Sequence, residues 1–171
     1  IFHSYELRLR HTFAISRESY DIQPSLVVEL KKDGQSGYGE ATANPYYKIT
    51  VENMISAIEE QRDFIESLSW NEPSALWAAV ADRFGENTFA LCALDEAAYD
   101  LWGKLQGKPV HKLWELDPQK APVSNYTIGI DTIQKMVEKL KEFPWPIYKI
   151  KLGTKDDLQI IRALRKHTSS V

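Results

Sequence analysis

Residues 147–153 read Ile147-Tyr148-Lys149-Ile150-Lys151-Leu152-Gly153. Side chains alternate along a strand, so Ile147, Lys149 and Lys151 share one face while Tyr148, Ile150 and Leu152 share the other. The second face is apolar and suits packing under helices. The first carries two ammonium groups roughly 7 Å apart, each disfavouring the other's charge. A bare Lys-x-Lys also fits an edge strand with solvated lysines, because lysine is mostly exposed. The context favours an inward face. A helical stretch precedes this strand, and Gly153-Thr154 leads from it into another helix. In a barrel, the carboxyl end of such a strand is where active-site residues stand.

Working outward, the order from Pro118 is strand (123–130), helix (132–143), strand (147–152) and helix (155–166). That β-α-β-α succession is the pattern of a parallel sheet. Asp131 with Gln134, and Thr154 with Asp157, have the spacing of capping boxes at the two helix starts. Thr127 occupies on the first strand the place Lys149 and Lys151 occupy on the second, where its hydroxyl could meet a substrate; β propensity explains a threonine there equally well. Two β/α units cannot close a barrel, which takes about 250 residues, so the stretch is expected to be incomplete.

Residues 1–117 have a different organisation. Residues 5–15 alternate in part, 26–30 are β-rich, and Gly37-Tyr38-Gly39-Glu40-Ala41 follows a glycine-containing turn. Together they predict a three-stranded antiparallel meander, with 16–23 as a polar loop. Apolar residues recur at three and four over 50–68, behind Thr50 as N-cap, which predicts one amphipathic helix. Further helices are expected over 73–84 and 88–105. The last is apolar almost all round, stops at Gly107 and Pro109, and should form the centre of its domain with Cys92 in the core.

Composition sets outer bounds. Of 171 residues, 43% are hydrophobic and 26% charged, as in a globular protein. With 21 basic and 24 acidic residues there is no electrostatic footprint for nucleic acid or an anionic membrane. One cysteine forms no internal disulfide, and a cytoplasmic protein is expected, either alone or as a homo-oligomer. The four histidines lack metal-ligand spacing, and no phosphate-binding glycine loop is present.

Four segments in order carry a family resemblance. Gly37-Tyr38-Gly39-Glu40-Ala41 resembles a G-x-G-E strand element, and Ala93-Leu94-Asp95-Glu96-Ala97-Ala98-Tyr99-Asp100-Leu101 resembles an A-L-D-x-A-x-x-D-L helix. Gly107-Lys108-Pro109-Val110 and the Lys-x-Lys strand follow at matching intervals. The chain thus resembles the enolase superfamily in its muconate-lactonizing subgroup, departing at Leu113-Trp114-Glu115-Leu116, where relatives have leucine-leucine-glycine. The resemblance implies an α+β capping domain (1–117) followed by the first β/α units of a (β/α)8 TIM barrel (118–171). It also implies proton abstraction α to a carboxylate held by Mg²⁺, whose ligands, with a second lysine, would lie beyond residue 171 and none within it. Lys151 would be the acid/base residue and Lys149 its neighbour on the carboxylate.

Within the subgroup, 125–131 leading to 148–153 is most similar to dipeptide epimerases of the L-Ala-D/L-Glu type. Their specificity comes from capping-domain loops, represented here by 16–20 and 44–48, so Arg17, Tyr46 and Tyr47 are candidate contacts to a small-molecule dipeptide. A solvated arginine and ordinary loop aromatics fit as well. Glu40 fits a structural role, capping or bridging within the meander, at least as well as a site role, and is not counted among the site residues. The alternatives are cycloisomerisation, o-succinylbenzoate synthesis or N-acylamino-acid racemisation on the same lysines, or a non-catalytic binding module.

Overall fold

The computed structural model describes residues 1–171, which form two compact units: residues 1–7 with 23–119, and residues 8–22 with 120–171. The expected boundary at 117/118 thus lies beside 119/120, but the tip of the first hairpin groups with the second unit rather than with the capping residues.

Three strands, β1 (Phe2–Ala14), β2 (Ser19–Lys32) and β3 (Gln35–Thr42), form a sheet in the order β1-β2-β3. The polar loop expected at 16–23 is shorter. The chain turns between Ile15 and Glu18, whose amide and carbonyl bond at 2.9 Å, and β2 begins at Ser19. Tyr20 and Ile22 alternate with polar residues there and are strand formers. In the first unit β2 and β3 pair antiparallel, Val28 opposite Gly39.

After a 3-10 turn at Pro45–Tyr47, the first unit continues with α1 (Val51–Glu59), α2 (Arg62–Ser67), α3 (Pro73–Val80), α4 (Thr88–Leu105) and α5 (Val110–Leu113). Thr50 and Asn53 make a reciprocal capping box at α1. The single helix expected over 50–68 is two, divided where Gln61 leaves helical geometry and donates to the Ile58 carbonyl. Likewise α3 gives way at Ala81 to a 3-10 turn that stops at Gly85, φ 53°.

Helix α4 forms the centre of this unit, with Ala90, Ala93, Leu94, Ala97, Ala98 and Leu101 all buried. Its contact with β3 explains two sequence motifs at once. A Cβ on Gly39 would stand 2.0 Å from the Ala93 carbonyl oxygen, and one on Gly37 2.3 Å from that of Ala97. Glycine on the strand and alanine on the helix therefore let the two backbones approach. The Tyr38 and Glu40 amides then donate to Asp100 and Glu96 at 2.8 and 2.9 Å. One turn of helix thus supplies carboxylates to a strand whose amides would otherwise face water. Glu40 accepts a short hydrogen bond from Ser25 on β2 and so bridges within the meander, one of the structural roles expected of it. Cys92 is exposed rather than core: it lies one turn before Glu96, to which its thiol donates at 3.6 Å, off the alanine stripe. Partial desolvation against the helix, then the Glu96 carboxylate, pushes that thiol upward. Glu115 closes α5 at φ 55°, the left-handed conformation that glycine adopts without strain.

In the second unit β4 (Tyr126–Ile128) and β5 (Tyr148–Ile150) pair in parallel, joined through α6 (Ile133–Glu142) and followed by α7 (Asp157–Arg165). Ile128, Met136, Leu140, Ile160 and Leu164 form its core, with Tyr126, Tyr148 and Ile150 against them. On the edge of β5 away from β4, Tyr148 donates to the Val171 carbonyl and Val171 to that of Pro146, the position of a third parallel strand. Thr132, not Asp131, caps α6 by accepting from Lys135. Asp131 is diverted to Lys139, whose ammonium is 3.0 Å away and which is only 9% exposed. Burial would raise the Asp131 pKa, but the Lys139 bond, the Thr132 amide and Lys135 outweigh it and the net shift is downward. At α7, Asp157 does reach back, accepting from the amides of Gly153 and Thr154 and from the Thr154 hydroxyl.

Candidate functional site

The site is built from the face of β4 and β5 that the helices leave open. Tyr126 pairs with Tyr148, Thr127 with Lys149 and Ile128 with Ile150. Because paired residues of parallel strands point the same way, Thr127 and Lys149 lie side by side on the face opposite the apolar core. Lys151 continues that face one step past β5, its amide donating to the Ile128 carbonyl at 3.0 Å. Lys149 is exposed and Lys151 half-buried.

The tip of the β1–β2 hairpin lies over the carboxyl ends of these strands. Ala14 accepts from the Ile130 amide at 2.8 Å. A Cβ on Gly129 would stand 3.1 Å from both the nitrogen and the oxygen of Ala14; one on Gly153, which has φ 129°, would stand 2.9 Å from the Ser16 Cβ. The two glycines after β4 and β5 therefore make room for the hairpin, Gly129 for its backbone at Ala14 and Gly153 for the Ser16 side chain. At its other end the hairpin is tied to α6: Arg10 donates to Glu142 at 2.6 Å and stacks over Phe143, while His11 Nε2 lies 3.0 Å from the second Glu142 oxygen.

This arrangement places Phe13 beside the candidate base. Lys151 Nζ is 6.0 Å from the centroid of the Phe13 ring, which packs against Tyr20 at 5.5 Å. Burial, then Glu18, pushes the Tyr20 hydroxyl upward. Alternation puts Phe13 in a strand but carries no sign of what the ring faces; the glycines following β4 and β5 are the only local signal of a close neighbour. Arg17 stands at the exposed tip, within the turn from Ile15 to Glu18.

Thr127, Lys149, Lys151 and Arg17 thus belong to the second unit, and Tyr46 and Tyr47 to the first. There the Asn44 side chain accepts from both tyrosine amides and fixes the turn. Both rings are exposed and meet edge to face at 4.9 Å, with Tyr47 5.7 Å from Phe89. No group of three or more His, Cys, Asp or Glu side chains is placed to hold a metal ion. The carboxylates nearest the strand ends, Asp131 and Asp157, are engaged as described, so the residues present do not make a Mg²⁺ site.

The model of the mandelate racemase / muconate lactonizing enzyme N-terminal domain matches residues 2–114. The chain belongs to this family. Among curated relatives of the mandelate racemase / muconate lactonizing family, it is 52% identical to the L-Ala-D/L-amino acid epimerase of Flavobacterium johnsoniae, over all of this chain and 51% of that one. It is 36% identical to the L-Ala-D/L-Glu epimerase of Bacteroides thetaiotaomicron, over 98% of this chain and 44% of that one. The chain thus spans about half the length of the curated relatives it matches. A substrate-liganded L-Ala-D/L-Glu epimerase from Bacillus subtilis superposes with a TM-score of 0.86 at 20% identity, covering 97% of this chain and 48% of that one. A dipeptide epimerase from Enterococcus faecalis V583, complexed with Mg and L-Leu-L-Tyr, gives 0.81 at 22%, covering 100% and 50%. The fold is accordingly the family's α+β capping domain followed by the first β/α units of the (β/α)8 barrel.

Proposed function

We propose that the whole protein epimerises dipeptides by removing and returning the proton α to a carboxylate, with Lys151 as a base on one face of that carbon. The observation that carries this reading is Thr127, Lys149 and Lys151 on one helix-free face at the carboxyl ends of β4 and β5, under the hairpin tip. The neutral Lys151 amine takes the α-proton as the C–H bond breaks, and the electron pair moves into the carboxylate. Lys149, on the same face, offers its ammonium to that carboxylate, and Thr127 a hydroxyl. Arg17, on the hairpin tip of the same unit, is assigned to the rest of the substrate. Inversion requires a second base on the opposite face, which the resemblance puts outside residues 1–171. We assign Mg²⁺ to the whole protein on the strength of the Mg-complexed relative; no step above runs through it.

The substrate class is L-Ala-L-X or L-Ala-D-X dipeptides, Glu included. The relatives at 52% and 53% identity are named for L-Ala-D/L-amino acids and the one at 36% for L-Ala-D/L-Glu. No helix is long and apolar enough to cross a membrane, and we assign the activity to the cytoplasm because the lone cysteine suits a reducing compartment.

The test is incubation of the whole protein in D₂O with L-Ala-L-Glu and other L-Ala-L-X dipeptides, following α-deuteration and the appearance of the D epimer. Lys151→Ala should lower epimerisation by roughly a hundredfold or more. Undiminished epimerisation in that variant would overturn the assignment of the base, and turnover of N-acylamino acids but no dipeptide would overturn the substrate class.

A further inference from the structure

We propose that Phe13 is a positioning residue for Lys151, its ring face steering the ammonium that forms when Lys151 has taken a proton. This rests on the reading of Lys151 as a base. An aromatic face is negative and attracts a cation out to about 6 Å from its centroid, and Lys151 Nζ stands 6.0 Å from that of Phe13. The ring is not free to drift. Tyr20 backs it at 5.5 Å, Thr12 donates to Asp21 across the same hairpin at 2.5 Å, and the next residue, Ala14, is bonded to Ile130. Gly129 admits the hairpin backbone at Ala14, and Gly153 admits the Ser16 side chain. The lysine stem is flexible, whereas the ring is backed by Tyr20 on a hairpin bonded on either side of it, so the ring limits where the ammonium can go. It acts on the protonated base rather than on the substrate, and its effect should fall on kcat and leave KM nearly unchanged.

The test compares Phe13→Leu, which keeps bulk without a π face, with Phe13→Tyr, which keeps both, in the whole protein. Phe13→Leu should lower kcat roughly two- to fivefold at nearly constant KM, and Phe13→Tyr should restore it. In parallel, NMR of lysine-labelled protein, with the Lys151 signal assigned through Lys151→Arg, should show its ε-methylene shifted by the ring current. That shift should vanish in Phe13→Leu and persist in Phe13→Tyr. Equal losses in both variants, an effect confined to KM, or a Lys151 signal indifferent to Phe13→Leu would each overturn the proposal. The NMR arm needs no turnover. A wild-type protein with the ring-current shift but no dipeptide epimerisation would therefore refute the functional reading alone.

Discussion

Gly39→Ala is expected to be among the most damaging single-methyl additions in the chain. The new Cβ would lie 2.0 Å from the Ala93 carbonyl oxygen, 2.5 Å from the Ala97 nitrogen and 2.7 Å from the Glu96 Cβ. Nothing there is a flexible side-chain end. Bringing the first contact to 3.0 Å, the least a Cβ tolerates, needs a retreat of 3.0 − 2.0, about 1 Å, by strand or helix. The same retreat stretches the Glu40–Glu96 and Tyr38–Asp100 bonds, now 2.9 and 2.8 Å. Overpacking costs about 1–3 kcal/mol, and loosening two charge-assisted bonds adds to that, so about 3 kcal/mol or more is expected. At roughly 2–4 °C per kcal/mol, Tm should fall by about 6–12 °C. Gly34→Ala is the control. Gly34 has φ 75° but nothing within 4 Å, so alanine there meets only left-handed strain of about 1–2 kcal/mol. Both variants lose a glycine's freedom in the unfolded chain, so comparing them cancels that contribution. Urea and thermal unfolding followed by circular dichroism supply the measurement. If Gly39→Ala were no more destabilising than Gly34→Ala, the close approach of β3 and α4 would not constrain residue 39.

Removing the Asp131 carboxylate by Asp131→Ala strands the ammonium of Lys139, whose side chain is only 11% exposed, and should cost about 2 kcal/mol in urea unfolding. The double variant with Lys139→Met should recover most of that, and a double variant as unstable as the single one would show that the stranded charge is not the cause. Acid should destabilise the fold through carboxylates whose folded pKa is depressed. The His3 ring, then Ser36, hold Glu29 down to about 2; backbone and side-chain bonds from Thr154 lower Asp157; and Asp131 is lowered as described. A depressed carboxylate stabilises the fold above its unfolded value, near 4, and that contribution disappears as pH falls through the folded value. Stability against urea should therefore be flat between pH 5 and 7 and decline from about pH 4.5 towards 2. A decline beginning instead above pH 5 would place the responsible groups elsewhere.

Local pattern carried much of this fold. Alternation put Lys149, Lys151 and Thr127 on one face, helical spacing with its stop signals marked Thr88–Leu105, and the β-α-β-α order implied parallel pairing. These depend on backbone period and side-chain volume within one segment, and both are written in the sequence. What covers a face is different, because the covering atoms come from a distant part of the chain. Only the tertiary structure set Phe13 beside Lys151, 138 residues apart in sequence (151 − 13). It also drew Asp131 from capping to Lys139, turned Cys92 outward, and gave the glycines after β4 and β5 their purpose as clearances for a hairpin. The resulting picture is a lysine whose place on its strand was fixed by local alternation and whose surroundings were fixed by long-range packing.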